Sequence, residues 1–114
     1  MTSKELEQIA KGLHSDSLEL MGLKNSDYTC NKAEIDALYN FNFIAGVIDD
    51  STFKVWSIYF MKHVLAVVKF CKTGFVESEG IKGRILDLIN YAILLYALIL
   101  QHEQQEKEAA DGSR

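Results

Sequence analysis

Ile85-Leu86-Asp87-Leu88-Ile89-Asn90-Tyr91-Ala92-Ile93-Leu94-Leu95-Tyr96-Ala97-Leu98-Ile99-Leu100 is the stretch on which the fold turns. Read as a helix it is apolar nearly all round, and a helix without a polar face has to be covered on every side. Asp87 and Asn90 interrupt the run. Only about ten residues from Tyr91 onward are free of strongly polar groups, against the roughly twenty that a bilayer span requires, so protein rather than lipid is the expected cover. At ~1.5 Å per residue the stretch is about 24 Å long. Three other short helices do not easily surround such a length, so a second subunit is expected to complete the cover, as in a symmetric homo-oligomer. Beyond Leu100, Gln101-His102-Glu103-Gln104-Gln105-Glu106-Lys107-Glu108 is polar and helix-favouring, which predicts a solvated extension that frays over about residues 105–114.

Outward from that helix, the chain of 114 residues contains no proline, so no interior position forces a helix to kink or stop. Glycines punctuate it instead. Thr2 with Glu5 forms a capping box, after which Leu6, Ile9, Leu13, Leu20 and Met21 recur at helical spacing until Gly22 offers a left-handed cap. Residues 23–31, with Asn25, Ser26 and Asp27, read as a loop carrying Tyr28 and Cys30. Asn31 with Glu34 is a second capping box, opening a helix from about Lys32 to Ala45 with Gly46 as its stop and Asp49-Asp50-Ser51 as the next start. A third helix spans Thr52 to Lys72 and ends at Thr73-Gly74, and the fourth begins near Ser78. The pattern is an all-α, four-helix bundle-like single domain with long third and fourth helices.

Composition narrows the function classes. A net charge of -4 argues against a partner with a phosphate backbone, so no nucleic acid is expected. The N-terminus has no apolar h-region. Cys30 and Cys71 form neither a CxxC nor a zinc-type spacing and fit reduced thiols in a cytoplasm. No membrane partner is expected. No GxGxxG, P-loop or GxSxG motif and no Cys/His nucleophile pattern is present, so covalent catalysis has no support.

Chemistry concentrates on two helices. Arg84, Asp87 and Tyr91 are spaced i, i+3, i+7 on one stripe of the fourth helix, with Asn90 one step round. An ionisable group and an amide in apolar surroundings need partners, whether Arg84, His63, Lys62, a metal or a ligand. Structural pairing and a ligand pocket explain them equally well at this point. His63 lies on the aromatic side of the third helix with Trp56, Tyr59 and Phe60, a wall able to stack on a nucleobase and equally a plain core. Lys54, Lys62, Lys69 and Lys72 share one sector, most simply a solvated face, with Lys62 nominated for an anionic ligand. For a Mg²⁺ site the carboxylates are few: Glu77, Glu79 and Asp87 are near in sequence, but Glu34 and Asp36 make no E-x-x-E pair.

In order, Lys24-Asn25-Ser26-Asp27-Tyr28-Thr29, Leu38-Tyr39-Asn40-Phe41, Lys62-His63, and Glu77-Ser78-Glu79-Gly80-Ile81-Lys82-Gly83-Arg84-Ile85-Leu86-Asp87-Leu88-Ile89-Asn90-Tyr91 resemble the small helical phage and prophage proteins of the nucleotide modification associated domain type 1 family. The resemblance covers about residues 15–100, and its C-terminal block is the most specific part. It implies a phage-encoded helical protein connected with nucleotides, distantly similar to all-α nucleoside triphosphate pyrophosphohydrolases. Carried over residue by residue, it nominates Asp27, Tyr28, Asn40, Lys62, His63, Glu79, Arg84, Asp87 and Asn90. The chain departs from the hydrolases by reading Arg84-x-x-Asp87-x-x-Asn90 and lacking the first acidic pair. The expectation is therefore a non-catalytic nucleotide-binding protein with no cofactor, sequestering a nucleotide-derived host-defence signal or assisting nucleotide modification. Arg84, Lys62 and His63 would face phosphate, Asp87 and Asn90 base or ribose, and Tyr28, Trp56 or Tyr59 would stack, with Tyr91 a further ligand-binding candidate on the fourth-helix stripe. A Mg²⁺-dependent pyrophosphohydrolase and a helical interaction module are the alternatives.

Overall fold

The structure is a computed structural model that describes residues 1–29, 38–75 and 80–112, with side chains described only to residue 22 in the first segment. Its four elements are all helices, α1 (Ser3–Thr29), α2 (Tyr39–Ile48), α3 (Thr52–Thr73) and α4 (Ile81–Gly112). No strand occurs among the described residues, and the all-α expectation is met.

Helix starts follow the capping chemistry of the sequence. The Glu5 amide donates to Thr2 Oγ1 at 3.1 Å while the Thr2 amide donates to the Glu5 carboxylate at 2.7 Å, so each satisfies an orphan donor of the other. Ser51 caps α3 by accepting from the Phe53 amide at 3.1 Å. At the other end Gly74 takes φ 71° and its N–H reaches the Phe70 carbonyl at 2.7 Å, the left-handed cap for which glycine is suited.

Three boundaries differ from the expectation. α1 does not stop at Gly22 or loop from residue 23; it runs unbroken to Thr29. Once a helix exists each further residue adds a hydrogen bond, so weak helix formers such as Asn25 and Ser26 are carried along. α2 passes through Gly46 and ends at Ile48, because Asp49, at φ 55°, supplies the left-handed residue and its N–H bonds the Ala45 carbonyl. The capping box at Asn31 and Glu34 lies outside the described residues. α4 begins at Ile81, where the Gly80 carbonyl accepts from the Gly83 and Arg84 amides at 3.1 and 3.3 Å, and it stays helical through Gly112, further than the unwinding expected near residue 105. Its residues beyond Gln101 are exposed, as a solvated extension would be.

α3 and α4 form an antiparallel hairpin. At one end Phe53 packs edge-on to His102 with ring centres 5.5 Å apart; in the middle Trp56 meets Tyr91; at the other end His63 meets Arg84. α2 packs on α3, and it reaches α4 through a reciprocal amide pair, Asn42 with Gln101, at 3.1 and 2.9 Å. Among the described residues α1 packs on α4 alone, turning in Ala10, Leu13, Ser17 and Leu20. The fully buried Ser17 hydroxyl donates to the His14 carbonyl at 2.9 Å, so burial leaves it satisfied.

Phe41 and Ala45 of α2, Val55 and Trp56 of α3, and Leu98 of α4 make the buried apolar core, with Phe60, Tyr91, Leu94 and Leu95 packed round it. It is a narrow core. The molecule measures 57 × 31 × 28 Å with a radius of gyration of 17.1 Å, where a compact chain of this length has about 13 Å.

Candidate functional site

Three polar residues in the first turns of α4 are buried, not solvated. Arg84, Asp87 and Asn90 retain 5%, 2% and 6% of their exposure, and His63 faces them from α3 with 6%. The i, i+3, i+7 spacing of Arg84, Asp87 and Tyr91 puts them on the side of α4 that packs α3, and His63 occupies the matching position three turns before the end of α3.

One ring nitrogen joins the cluster. His63 Nδ1 lies 3.2 Å from Arg84 Nη1 and 3.3 Å from Asp87 Oδ2. Arginine only donates and a carboxylate only accepts, so Nδ1 serves Arg84 when bare and Asp87 when it carries the proton. The Tyr91 ring covers the imidazole at 5.0 Å.

Asn90 completes the group in a different manner. Among the described residues neither its Nδ2 nor its Oδ1 has a hydrogen-bond partner, although both atoms are buried. A buried amide left so costs about 1–3 kcal/mol.

Trp56 belongs to the core. Its indole N–H donates to the Tyr91 carbonyl at 2.9 Å and its ring stacks on Phe60 at 4.6 Å and 16°, which uses the face that would otherwise be offered to a base. The structure thus brings His63, Arg84, Asp87, Asn90, Tyr91 and Trp56 into one neighbourhood. It does not bring Lys62, Tyr59 or Asn40 there; all are exposed. Consecutive helical residues point about 100° apart, so His63 turned inward leaves Lys62 turned outward. Tyr59 lies edge-on to Phe41 at 6.1 Å, at the rim of the core. Tyr28 and Asp27 are in the last turns of α1 with side chains outside the described residues, as is all of Glu79. Phe41, whose ring packs on Tyr91 at 6.4 Å and so backs the site, was not singled out by sequence, where nothing separates it from its aromatic neighbours.

For metal chemistry, no group of three or more His, Cys, Asp or Glu side chains is placed to hold an ion among the described residues, and Glu77 and Glu79 lie outside them. α4 is long and apolar enough to cross a membrane by length and composition, with 22% of its most apolar window buried. The count from Tyr91 onward understated this, because Asp87 and Asn90 are too few to break an otherwise apolar stretch.

No protein-family model matches the chain, and no curated protein and no solved structure matches it. The resemblance to the nucleotide modification associated domain type 1 family rests on the quoted motifs alone.

Proposed function

We propose that this chain is a non-catalytic binding protein that takes a small nucleotide-like ligand at Asn90, beside the His63–Arg84–Asp87 cluster, and works as a homo-oligomer. One observation carries the reading: Asn90 presents a donor and an acceptor side by side, both buried and both without a partner among the described residues. A nucleobase edge offers the complementary pair, the geometry by which an asparagine reads adenine bidentately. The neighbouring groups already engage one another, which holds the site in shape before a ligand arrives. The motif resemblance supports a nucleotide and a phage origin, and with them a role in holding a nucleotide-derived defence signal or assisting nucleotide modification. Lys62 lies outside this site, so the ligand is gripped by hydrogen bonds more than by charge, and its affinity should depend only weakly on salt. Self-association, with a bundle closed between subunits, supplies the cover that a single chain does not give α4.

Titration calorimetry with a panel of linear and cyclic nucleotides, with and without Mg²⁺, tests the reading on wild type and Asn90→Leu. Wild type should bind one class and release it intact on denaturation. Asn90→Leu should bind at least tenfold more weakly while the ligand-free protein gains about 1–3 kcal/mol of stability, since the unsatisfied amide is gone. Equal affinity in both proteins overturns the site, and recovery of a converted product overturns the non-catalytic reading in favour of the pyrophosphohydrolase.

A further inference from the structure

Both long helices carry a second apolar stripe on the side away from the core. On α3 it is Ile58, Met61, Leu65 and Val68; on α4 it is Ile85, Ala92, Tyr96 and Ile99, all exposed, with half-buried Ile89 in line. Ile58, Leu65 and Tyr96 keep 68%, 60% and 66% of their exposure, and apolar residues gathered into a continuous stripe, unlike ones scattered singly, mark an interaction surface. The spacings are those of a coiled-coil seam, alternating three and four residues. Read forward along α3 from Ile58 and backward along α4 from Ile99, the two stripes have the same order of steps, so every position on one finds a counterpart on the other in an antiparallel pairing. Ile58 falls opposite Ile99, Met61 opposite Tyr96, Leu65 opposite Ala92 and Val68 opposite Ile89.

Charge agrees with that register. α3 has no acidic residue, and Lys54, Lys62, Lys69 and Lys72 are all exposed beside its stripe. The exposed extension of α4 carries Glu103, Glu106, Glu108 and Asp111 against Lys107. The antiparallel pairing sets the Lys54 end of α3 beside Glu103 and Glu106. Area agrees as well. The chain exposes 8510 Å², whereas a compact monomer of 12.9 kDa exposes about 6,300 Å². The excess, roughly 2,000 Å² per chain and shared between the outer stripes and the polar extension of α4, leaves area enough for a stable interface.

We propose that a second copy of this chain covers these faces, the outer stripe of α3 in one protomer lying antiparallel on the outer stripe of α4 in the next. The inference rests on the self-association proposed above and names its surfaces; it does not depend on the ligand. Because the two stripes point away from each other across the hairpin, the contact is heterologous and each protomer uses both faces, building a ring or an open array of alternating α3 and α4 helices.

Disulfide trapping decides the arrangement. In a Cys30→Ser/Cys71→Ser background, Leu65→Cys and Ala92→Cys are made separately and oxidised alone and mixed. The proposal expects a cross-linked pair only in the mixture. Leu65→Cys or Ala92→Cys cross-linking to itself overturns the heterologous contact while leaving self-association standing. Light scattering with Leu65→Glu provides the second readout: this residue is exposed in the protomer, so the variant should fold with unchanged helicity and its association should weaken at least tenfold, toward the 12.9 kDa monomer. A wild type that is monomeric in solution, or that is monomeric and sediments with anionic vesicles of phosphatidylserine and phosphatidylcholine, overturns both this inference and the self-association on which it rests.

Discussion

Removing the Asp87 carboxylate should damage the protein more than removing the whole ionic pair. Asp87 is 2% exposed and sits 3.3 Å from His63 Nδ1, which is also 3.2 Å from Arg84 Nη1. In Asp87→Ala the buried guanidinium loses the carboxylate with which it shares His63 Nδ1, and breaking a buried ionic contact of this kind costs about 3–5 kcal/mol where it has been measured in other proteins. Against a total stability of roughly 5–15 kcal/mol for a domain of this kind, the variant stands close to unfolding. Arg84→Met/Asp87→Leu removes both charges and keeps similar volumes, so it should lie within about 1–2 kcal/mol of wild type. With Arg84→Met and Asp87→Leu as the single variants, the cycle then shows a coupling of several kcal/mol, far beyond additivity. Urea denaturation followed by tryptophan emission measures it, because Trp56 is the only tryptophan and its indole N–H is held by the Tyr91 carbonyl one turn from Asp87. Protein concentration has to be held fixed, since association adds to apparent stability. An Asp87→Ala variant within about 1 kcal/mol of wild type, or a double variant as unstable as the sum of the two single changes, would refute the view that burial makes these charges interdependent.

The two helix-end glycines should respond in opposite directions. Gly46 lies inside α2 with open space where a Cβ would project, so Gly46→Ala should raise stability by about 0.5–1 kcal/mol, while Gly74→Ala, forced to hold φ 71°, should lower it by about 1–2 kcal/mol; thermal unfolding compares them directly. Asp50 is held below its ordinary value of 3.8, first by the Ser51 backbone N–H and then by Lys54. Its folded pKa is depressed, so its contribution is present above the unfolded value and disappears as pH falls through the folded one; carboxyl NMR titration should show the low midpoint, and Asp50→Asn should flatten the acid limb of the stability curve. Trp56→Phe keeps a ring on Phe60 but deletes the bond to the Tyr91 carbonyl, and should lose about 1–3 kcal/mol by circular dichroism, with no loss counting against the indole as a tie between α3 and α4.

What could be read from sequence was what depends on near neighbours in the chain. The Thr2/Glu5 box, the Ser51 cap, the Gly74 stop and the α3 span are each decided within four residues, and the structure places all of them where the pattern did. Gly22 and Gly46 failed as stops because a glycine permits a left-handed turn without demanding one, and Asp49 met the need instead. The gathering of His63 with Arg84 and Asp87 was legible in outline: polar groups at helical spacing on an apolar helix have to meet something. Which residues stay outside was less so. Lys62 adjoins His63 in sequence yet points to solvent, and its exclusion depends on the rotation of α3 against α4, which is fixed by packing at Val55 and Trp56. The missing partners of the Asn90 amide could not be read at all, since they depend on what every surrounding side chain is already doing.

The α3–α4 seam is divided along its length. Toward Phe53 it is held by Val55, Trp56 and Leu98 with Phe41 and Ala45 of α2 behind them; toward the turn it is polar, with His63, Arg84, Asp87 and Asn90 occupying places where apolar knobs would stabilise the pair more. A polar end of this kind fixes register, because sliding α4 by one turn would strand Asp87 and Arg84 among aliphatic neighbours. It also thins the core, and the outer stripes lie where a thin core needs help. Since Asn90 and the outer stripe occupy opposite sides of α4, ligand binding and assembly draw on different surfaces of the same helix. A ligand at Asn90 would stabilise the folded chain by mass action whether or not its neighbours are present, while assembly would bury Ile85, Tyr96 and Ile99 whether or not a ligand is bound. Their effects on stability should therefore add, which is the behaviour expected of separate sites sharing one rigid element.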